Sequence, residues 1–167
     1  MRMRPLLTLV LAALLIGMQP LAIESAEAAS RQLSERSYRQ LSSIHSLMEK
    51  ERSDEALAGL DRMRSRVENR PYEHALLLQT YGHLHAREAR YPQAITALSQ
   101  CLDLDALPEE ASKQVLYTLA QLQLATADYE AAVSSLERWL GLEKDPAPAA
   151  HALAGTAYAY TKRYPLA

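Results

Sequence analysis

The sequence predicts an all-α chain folded as a right-handed superhelix of antiparallel helix pairs. Three observations carry that expectation. From Ser30 onward apolar residues recur at helical spacing, and no stretch shows the strict alternation or β-branched enrichment of a half-buried strand. A tyrosine-x-x-alanine unit stands at Tyr91 to Ala94, at Tyr129 to Ala132 and at Tyr164 to Ala167, so it returns after 38 and then 35 residues. Periods of roughly 20–50 residues mark a repeat array. Gly82, Ala120 and Gly155 precede Ala94, Ala132 and Ala167 by twelve residues each. Small residues on two consecutive helices let their backbones approach closely, which a tight helix pair requires.

The first segment reads as an address. Arg2 and Arg4 precede an apolar run from Leu6 to Met18, the length of a signal-peptide core and short for a membrane span. Ala26-Glu27-Ala28 offers small residues where a signal peptidase needs them, so residues 1–28 are expected to be a signal peptide cleaved after Ala28, with export to follow. The alternative is an uncleaved segment acting as a membrane anchor. No cysteine follows the run to take a lipid.

The mature chain then divides into a short lead, 29–36, three helix pairs within 37–146, and an incomplete fourth repeat, 147–167. The expected helices are 37–50 with 53–68, 73–89 with 91–104, 110–126 with 129–141, and 148–162. Pro71, Pro108 and Pro146 or Pro148 fall where first helices begin, and Pro92 and Pro165 occupy first turns of second helices, where a missing N–H costs nothing. Asp128, and Ser53 with Asp54 and Glu55 behind it, are candidate caps. Ser53 to Leu57 takes the place of the repeat unit 38 residues ahead of Ala94, with Ile44 instead of the small first-helix residue, which predicts looser packing or a capping repeat there. Cys101 and Trp139, seven residues after Ala94 and Ala132, are expected to point toward the next pair. The chain stops three residues after Tyr164, so a truncated or longer natural protein is expected.

Composition removes most other classes. The 167 residues are 49% hydrophobic and carry 18 basic against 20 acidic side chains, a net charge of -2 that supplies no field for nucleic acid. One cysteine excludes an internal disulfide and any multi-thiolate metal site. Glycines 17, 59, 82, 141 and 155 are too scattered for a phosphate-cradling loop.

These residues resemble the tetratricopeptide repeat family. Leu78, Tyr81-Gly82, His85, Tyr91, Ala94 and Leu98 follow its pattern, as do Leu116, Leu119-Ala120, Tyr129, Ala132 and Leu136, and then Gly155, Tyr158, Tyr164 and Ala167. The resemblance covers about 130 residues and implies that Gly82, Ala94, Ala120, Ala132, Gly155 and Ala167 pack the repeats. A narrower likeness lies in Leu33 to Tyr38, Tyr72 to Tyr81, Leu104 to Pro108, and Trp139-Leu140. These resemble the exported repeat proteins that accompany some TonB energy-transduction systems. That resemblance implies a periplasmic location and TonB, ExbB and ExbD components as partners; a scaffold for cell-wall or outer-membrane assembly is the alternative.

Catalytic and metal chemistry find little support. His83 and His85, two apart on a helix, point about 200° from each other and cannot clamp one ion. His85 falls at an inward position that suits a packed imidazole with one hydrogen bond. No serine, histidine and acid spacing suggests a nucleophile, no cofactor motif is present, and Cys101 reads as a buried small hydrophobe. Arg62, Arg64, Arg66 and Arg70, with Asp61 and Glu68 among them, read as a solvated face. The family resemblance implies a concave groove lined by first helices, whose stripe maps to Tyr38, Leu41 and His45, then Gln79, His83 and Arg87, then Tyr117, Gln121 and Leu124, with Thr156 beyond. Such side chains suit an extended peptide segment. The lysine-asparagine set with which some relatives grip a terminal carboxylate is missing. An enzyme or metal-binding protein is the remaining, disfavoured class, and the membrane is expected to be met only through the leader or through partners.

Overall fold

The structure, a computed structural model, describes residues 33–162. The expected signal peptide, its cleavage after Ala28, and Tyr164, Pro165 and Ala167 of the fourth repeat lie outside the described residues. Within them are seven helices and no strand: α1 (Glu35–Glu49), α2 (Ser53–Val67), α3 (Pro71–Arg87), α4 (Tyr91–Asp103), α5 (Glu109–Ala125), α6 (Tyr129–Leu142) and α7 (Pro148–Thr161). Every bound falls within two residues of the sequence expectation.

The helix starts follow the chemistry of their first turns. Pro71 and Pro148 open α3 and α7, and Pro92 sits second in α4. Asp128 caps α6 by accepting the Ala131 N–H at 3.4 Å. Ser34, unforeseen as a cap, accepts the Ser37 N–H at 3.3 Å and starts α1. Ser53 is not a cap: it is already helical, and its hydroxyl donates to Glu88, while Arg52 occupies the cap position and pairs with Glu55.

The bends within the pairs share one backbone solution. Glu51, Ala89 and Ala127 have φ of 59°, 54° and 60°, in the left-handed region. Around Ala89, the Arg90 N–H donates to the His85 carbonyl at 2.8 Å and the Ala89 N–H to the Ala86 carbonyl at 3.1 Å. The same two bonds form at Glu51 and Arg52, and at Ala127 and Asp128. This crossed pair of bonds is the Schellman closure, which satisfies helix-end carbonyls and ordinarily uses glycine. Lys162 at the end of α7, φ 56°, is left-handed too, as is Asp105, φ 45°, between the second and third pairs; Lys162 joins the periodic set of Glu51, Ala89 and Ala127 and Asp105 does not. The four positions are spaced 38, 38 and 35 residues, close to the period of the tyrosine-x-x-alanine unit.

Apolar residues form three clusters, each shared by consecutive helices. Leu41, Ile44, Leu60, Met63, Leu77 and Leu84 join α1, α2 and α3. Ala75, Leu98, Cys101, Val115 and Leu119 join α3, α4 and α5. Ala120, Ala132, Val133, Leu136, Ala154 and Ala157 join α5, α6 and α7. Along the chain each helix touches its neighbours, and α1 also touches α3.

The small residues meet different fates. Ala94, Ala120 and Ala132 are fully buried. At Gly82 a methyl group would lie 2.3 Å from Cδ2 of Leu98, so only glycine admits that leucine. Gly155 is exposed and a methyl there would meet nothing within 4 Å among the described residues, which do not include Ala167, its expected partner. The first pair is not loosely packed either. Ile44 is buried, and a methyl on Gly59 would come within 2.9 Å of its Cγ1, so the small residue stands on the second helix instead of the first. Cys101 is buried in the cluster that includes Val115 and Leu119 of the next pair, and its Sγ also lies against the Ala75 carbonyl of its own pair at 3.1 Å.

Candidate functional site

The expected stripe is only partly available for docking. Tyr38 is 60% exposed, and His45, His83, Arg87, Gln121 and Thr156 are exposed, while Gln79 is half-buried. Three residues are spent on the fold. Leu41 is buried in the first apolar cluster, because its turn of α1 faces α2 and α3 rather than solvent. Tyr117 leans its ring on Trp139, centroids 5.1 Å apart, and Leu124 packs against the third cluster. Thr156 turns its hydroxyl back to the Ala152 carbonyl at 2.9 Å. What remains is a discontinuous row of polar side chains. Desolvation by the protein around it, and then the neighbouring His45 of α1, hold the imidazole of His83 below its ordinary pKa even though part of its side chain is exposed.

The structure also forms two clefts that periodicity did not reveal. The first, of about 410 Å³, lies where α2, α3 and α4 meet and is lined by Arg64, Tyr81, His85, Gln93 and Gln100, among others. Arg64 holds its guanidinium carbon 4.9 Å from the Tyr81 ring centre, and the Tyr81 hydroxyl donates to Asp61 at 2.5 Å. Burial, reinforced by the Asp61 carboxylate, pushes the Tyr81 phenol up to about 12. His85 stacks on Tyr81 at 6.1 Å between centroids. Burial and the Arg90 charge lower its pKa, against an opposing pull from Asp61. Among the described residues Nδ1 of His85 and Nε of Arg90 are buried without a partner. Tyr81 and His85 lie one turn apart, but the chain distance from Arg64 gave no signal that it would join them.

The second cleft, of about 370 Å³, lies at the junction of α1, α2 and α3. Glu73 is buried at its base, accepting the Ser34 N–H at 3.0 Å, the Ser37 hydroxyl at 2.7 Å and the Arg70 guanidinium at 3.2 Å. Desolvation would raise its carboxyl, but the Ser37 and Ser34 hydrogen bonds and the Arg70 charge outweigh that and leave it lowered. The basic run expected as one solvated face is thus divided: Arg70 serves Glu73, Arg66 donates to the Gln40 amide oxygen, and Arg64 covers Tyr81.

Cys101 is buried, and its burial pushes the thiol up to about 12, a state that disfavours the reactive thiolate. Among the described residues no group of three or more His, Cys, Asp or Glu side chains could hold a metal ion, and no helix is long and apolar enough to cross a membrane. In comparisons with known proteins, no family model, no curated protein and no solved structure matches the chain.

Proposed function

We propose that the chain is a non-enzymatic protein-interaction scaffold of the tetratricopeptide type, exported to the periplasm and serving as an accessory of a TonB-type energy-transduction complex. The observation that carries the repeat reading is the coincidence of two periods. The left-handed residues Ala89, Ala127 and Lys162 each stand two residues ahead of a tyrosine-x-x-alanine unit, and Glu51 stands two ahead of Ser53 to Leu57, which takes that unit's place, so one structural module keeps step with one sequence module. Stacked modules of this kind hold exposed side chains in fixed register, so a partner segment binds without a large ordering cost to the receptor. The exposed row of Tyr38, His45, His83, Arg87 and Gln121 offers an aromatic ring, imidazoles, a guanidinium and an amide, a chemistry suited to an extended peptide.

Crosslinking of the protein in its native envelope, followed by identification of the captured partners, tests this reading. Recovery of TonB, ExbB or ExbD components supports it, and recovery of cell-wall synthases alone refutes the energy-transduction assignment. Combined substitution of His83, Arg87 and Gln121 by alanine is expected to reduce capture at least severalfold while leaving the unfolding temperature in place. Undiminished capture would remove the exposed row as the docking surface.

A further inference from the structure

We propose that the cleft where α1, α2 and α3 meet is a subsite for a carboxylate, the acidic side chain of an extended partner peptide. The proposal rests on the scaffold reading above and names one contact chemistry for it. The cleft holds three guanidinium groups, Arg36, Arg66 and Arg70, and one carboxylate, Glu73. Arg70 and Glu73 neutralise each other through the contacts at 3.2 and 3.3 Å. Among the described residues Arg66 donates to the neutral Gln40 amide, and neither Arg66 nor Arg36 has an acidic partner. Two positive charges, one from α1 and one from α2, therefore have no counter-charge among the described residues beside an open volume of about 370 Å³ that Val67 also lines. That volume is at the small end of ligand sites, which run from roughly 300 to 1,000 Å³.

The geometry favours a carboxylate over a phosphate. Phosphate sites draw on converging backbone N–H groups at helix starts. Here the N–H of Ser34 is already donated to Glu73 and that of Ser37 to the Ser34 hydroxyl. The charged donors that line the cleft are side-chain guanidinium groups, whose planar fork matches a carboxylate in a bidentate pair. The fixed negative charge of Glu73 also repels a dianion more strongly than a monoanion.

The test is a titration of the full chain with blocked tetraglutamate, read from the arginine Nε–H signals in two-dimensional NMR, beside inorganic phosphate and blocked tetraserine. The expected result is saturable movement of the Arg36 and Arg66 signals with tetraglutamate, weakened by added salt and absent with tetraserine. Arg36→Gln combined with Arg66→Gln is expected to weaken binding about tenfold or more, since each charge-assisted hydrogen bond is among the stronger kinds. Arg36 is exposed and Arg66 half-buried, and an unchanged unfolding temperature identifies the loss as one of binding. Equal binding by the double variant, or phosphate binding as tightly as tetraglutamate at the same signals, overturns the proposal. Because no partner protein enters the titration, its failure leaves the scaffold reading to the crosslinking result.

Discussion

Leu98 sits in the space that a side chain at Gly82 would fill, and one pair earlier the arrangement is reversed, with Ile44 filling the space left by Gly59. Both contacts join a first helix to its second helix. In one the first helix carries the hollow and in the other the second helix does, so bulk is conserved across the interface while its side is exchanged. Leu98 and Ile44 are both buried to within 2% of full exclusion, where an added methyl has nowhere to go.

Gly82→Ala is therefore expected to destabilise. The gain of about 1 kcal/mol from replacing a mid-helix glycine is outweighed by overpacking of about 1–3 kcal/mol against Leu98. Gly155→Ala, facing open space on the described surface, is expected to stabilise by about 0.5–1 kcal/mol. Urea unfolding of the two variants should give shifts of opposite sign. A shift of the same sign for both would mean that the Gly82 contact does not constrain the pair. Ile44→Ala, which removes the Cγ1 that the added methyl would meet, is expected to relieve the overpacking part of the penalty of Gly59→Ala, a coupling readable in a double-mutant cycle.

The left-handed bends offer a second lever. Ala89 and Ala127 are exposed and hold positive φ, a conformation that costs a residue with a Cβ about 1–2 kcal/mol. Replacement by glycine removes that strain but adds freedom to the unfolded chain, so Ala89→Gly and Ala127→Gly should each gain about 0.5–1 kcal/mol. Ala86→Gly, inside α3, should lose about 1 kcal/mol and serves as the opposing control. Thermal scans in which all three glycines destabilise would contradict the bend geometry.

Acid should weaken the fold in two stages. His83 and His85 are held below their ordinary 6.5, so the unfolded chain takes up protons first and stability falls as pH drops through that value. Glu73 is held below its ordinary 4.5, so its contribution is present above that value and is lost as pH falls through the lowered one. Glu73→Gln is expected to cost about 1–3 kcal/mol at neutral pH, by leaving Arg70 without its counter-charge, and to flatten the lower stage. Denaturant midpoints measured from pH 7 to pH 3 check both; an unchanged slope below pH 4.5 in Glu73→Gln would show that this carboxylate is not the titrating group.

The lone thiol reports on global opening. With Cys101 buried and its pKa near 12, alkylation at pH 8 should be slower than for a free cysteine by several orders of magnitude. The residual rate should follow denaturant as unfolding does. Labelling at the rate of an unprotected thiol would mean that α4 detaches from α3 in the native protein.

The helices were legible because their cues are local. Prolines at first turns, acids near helix starts and apolar spacing act within one turn of chain, and they placed every helix bound within two residues. Gly82 was legible as a packing residue because its period repeats. Gly155 has the same period, and Tyr164 to Ala167, expected opposite it, lie outside the described residues. The stripe was harder. Leu41 and Tyr117 have the spacing of exposed neighbours, but their burial depends on how far α1 and α5 are rotated about their own axes. The clefts escaped detection for another reason. Glu73 meets Ser34 and Ser37 across 39 and 36 residues, and Arg64 meets Tyr81 across 17, separations at which no helical rule connects side chains.

The Schellman closures at Glu51, Ala89 and Ala127 consist of amide-to-carbonyl links alone. An acid and two alanines serve equally well there, so the angle at which each hairpin folds back is indifferent to the letter written at its apex. Substitutions could accumulate at these corners without reshaping the molecule, and the corners would then leave almost no trace for a comparison that reads letters instead of dihedral angles.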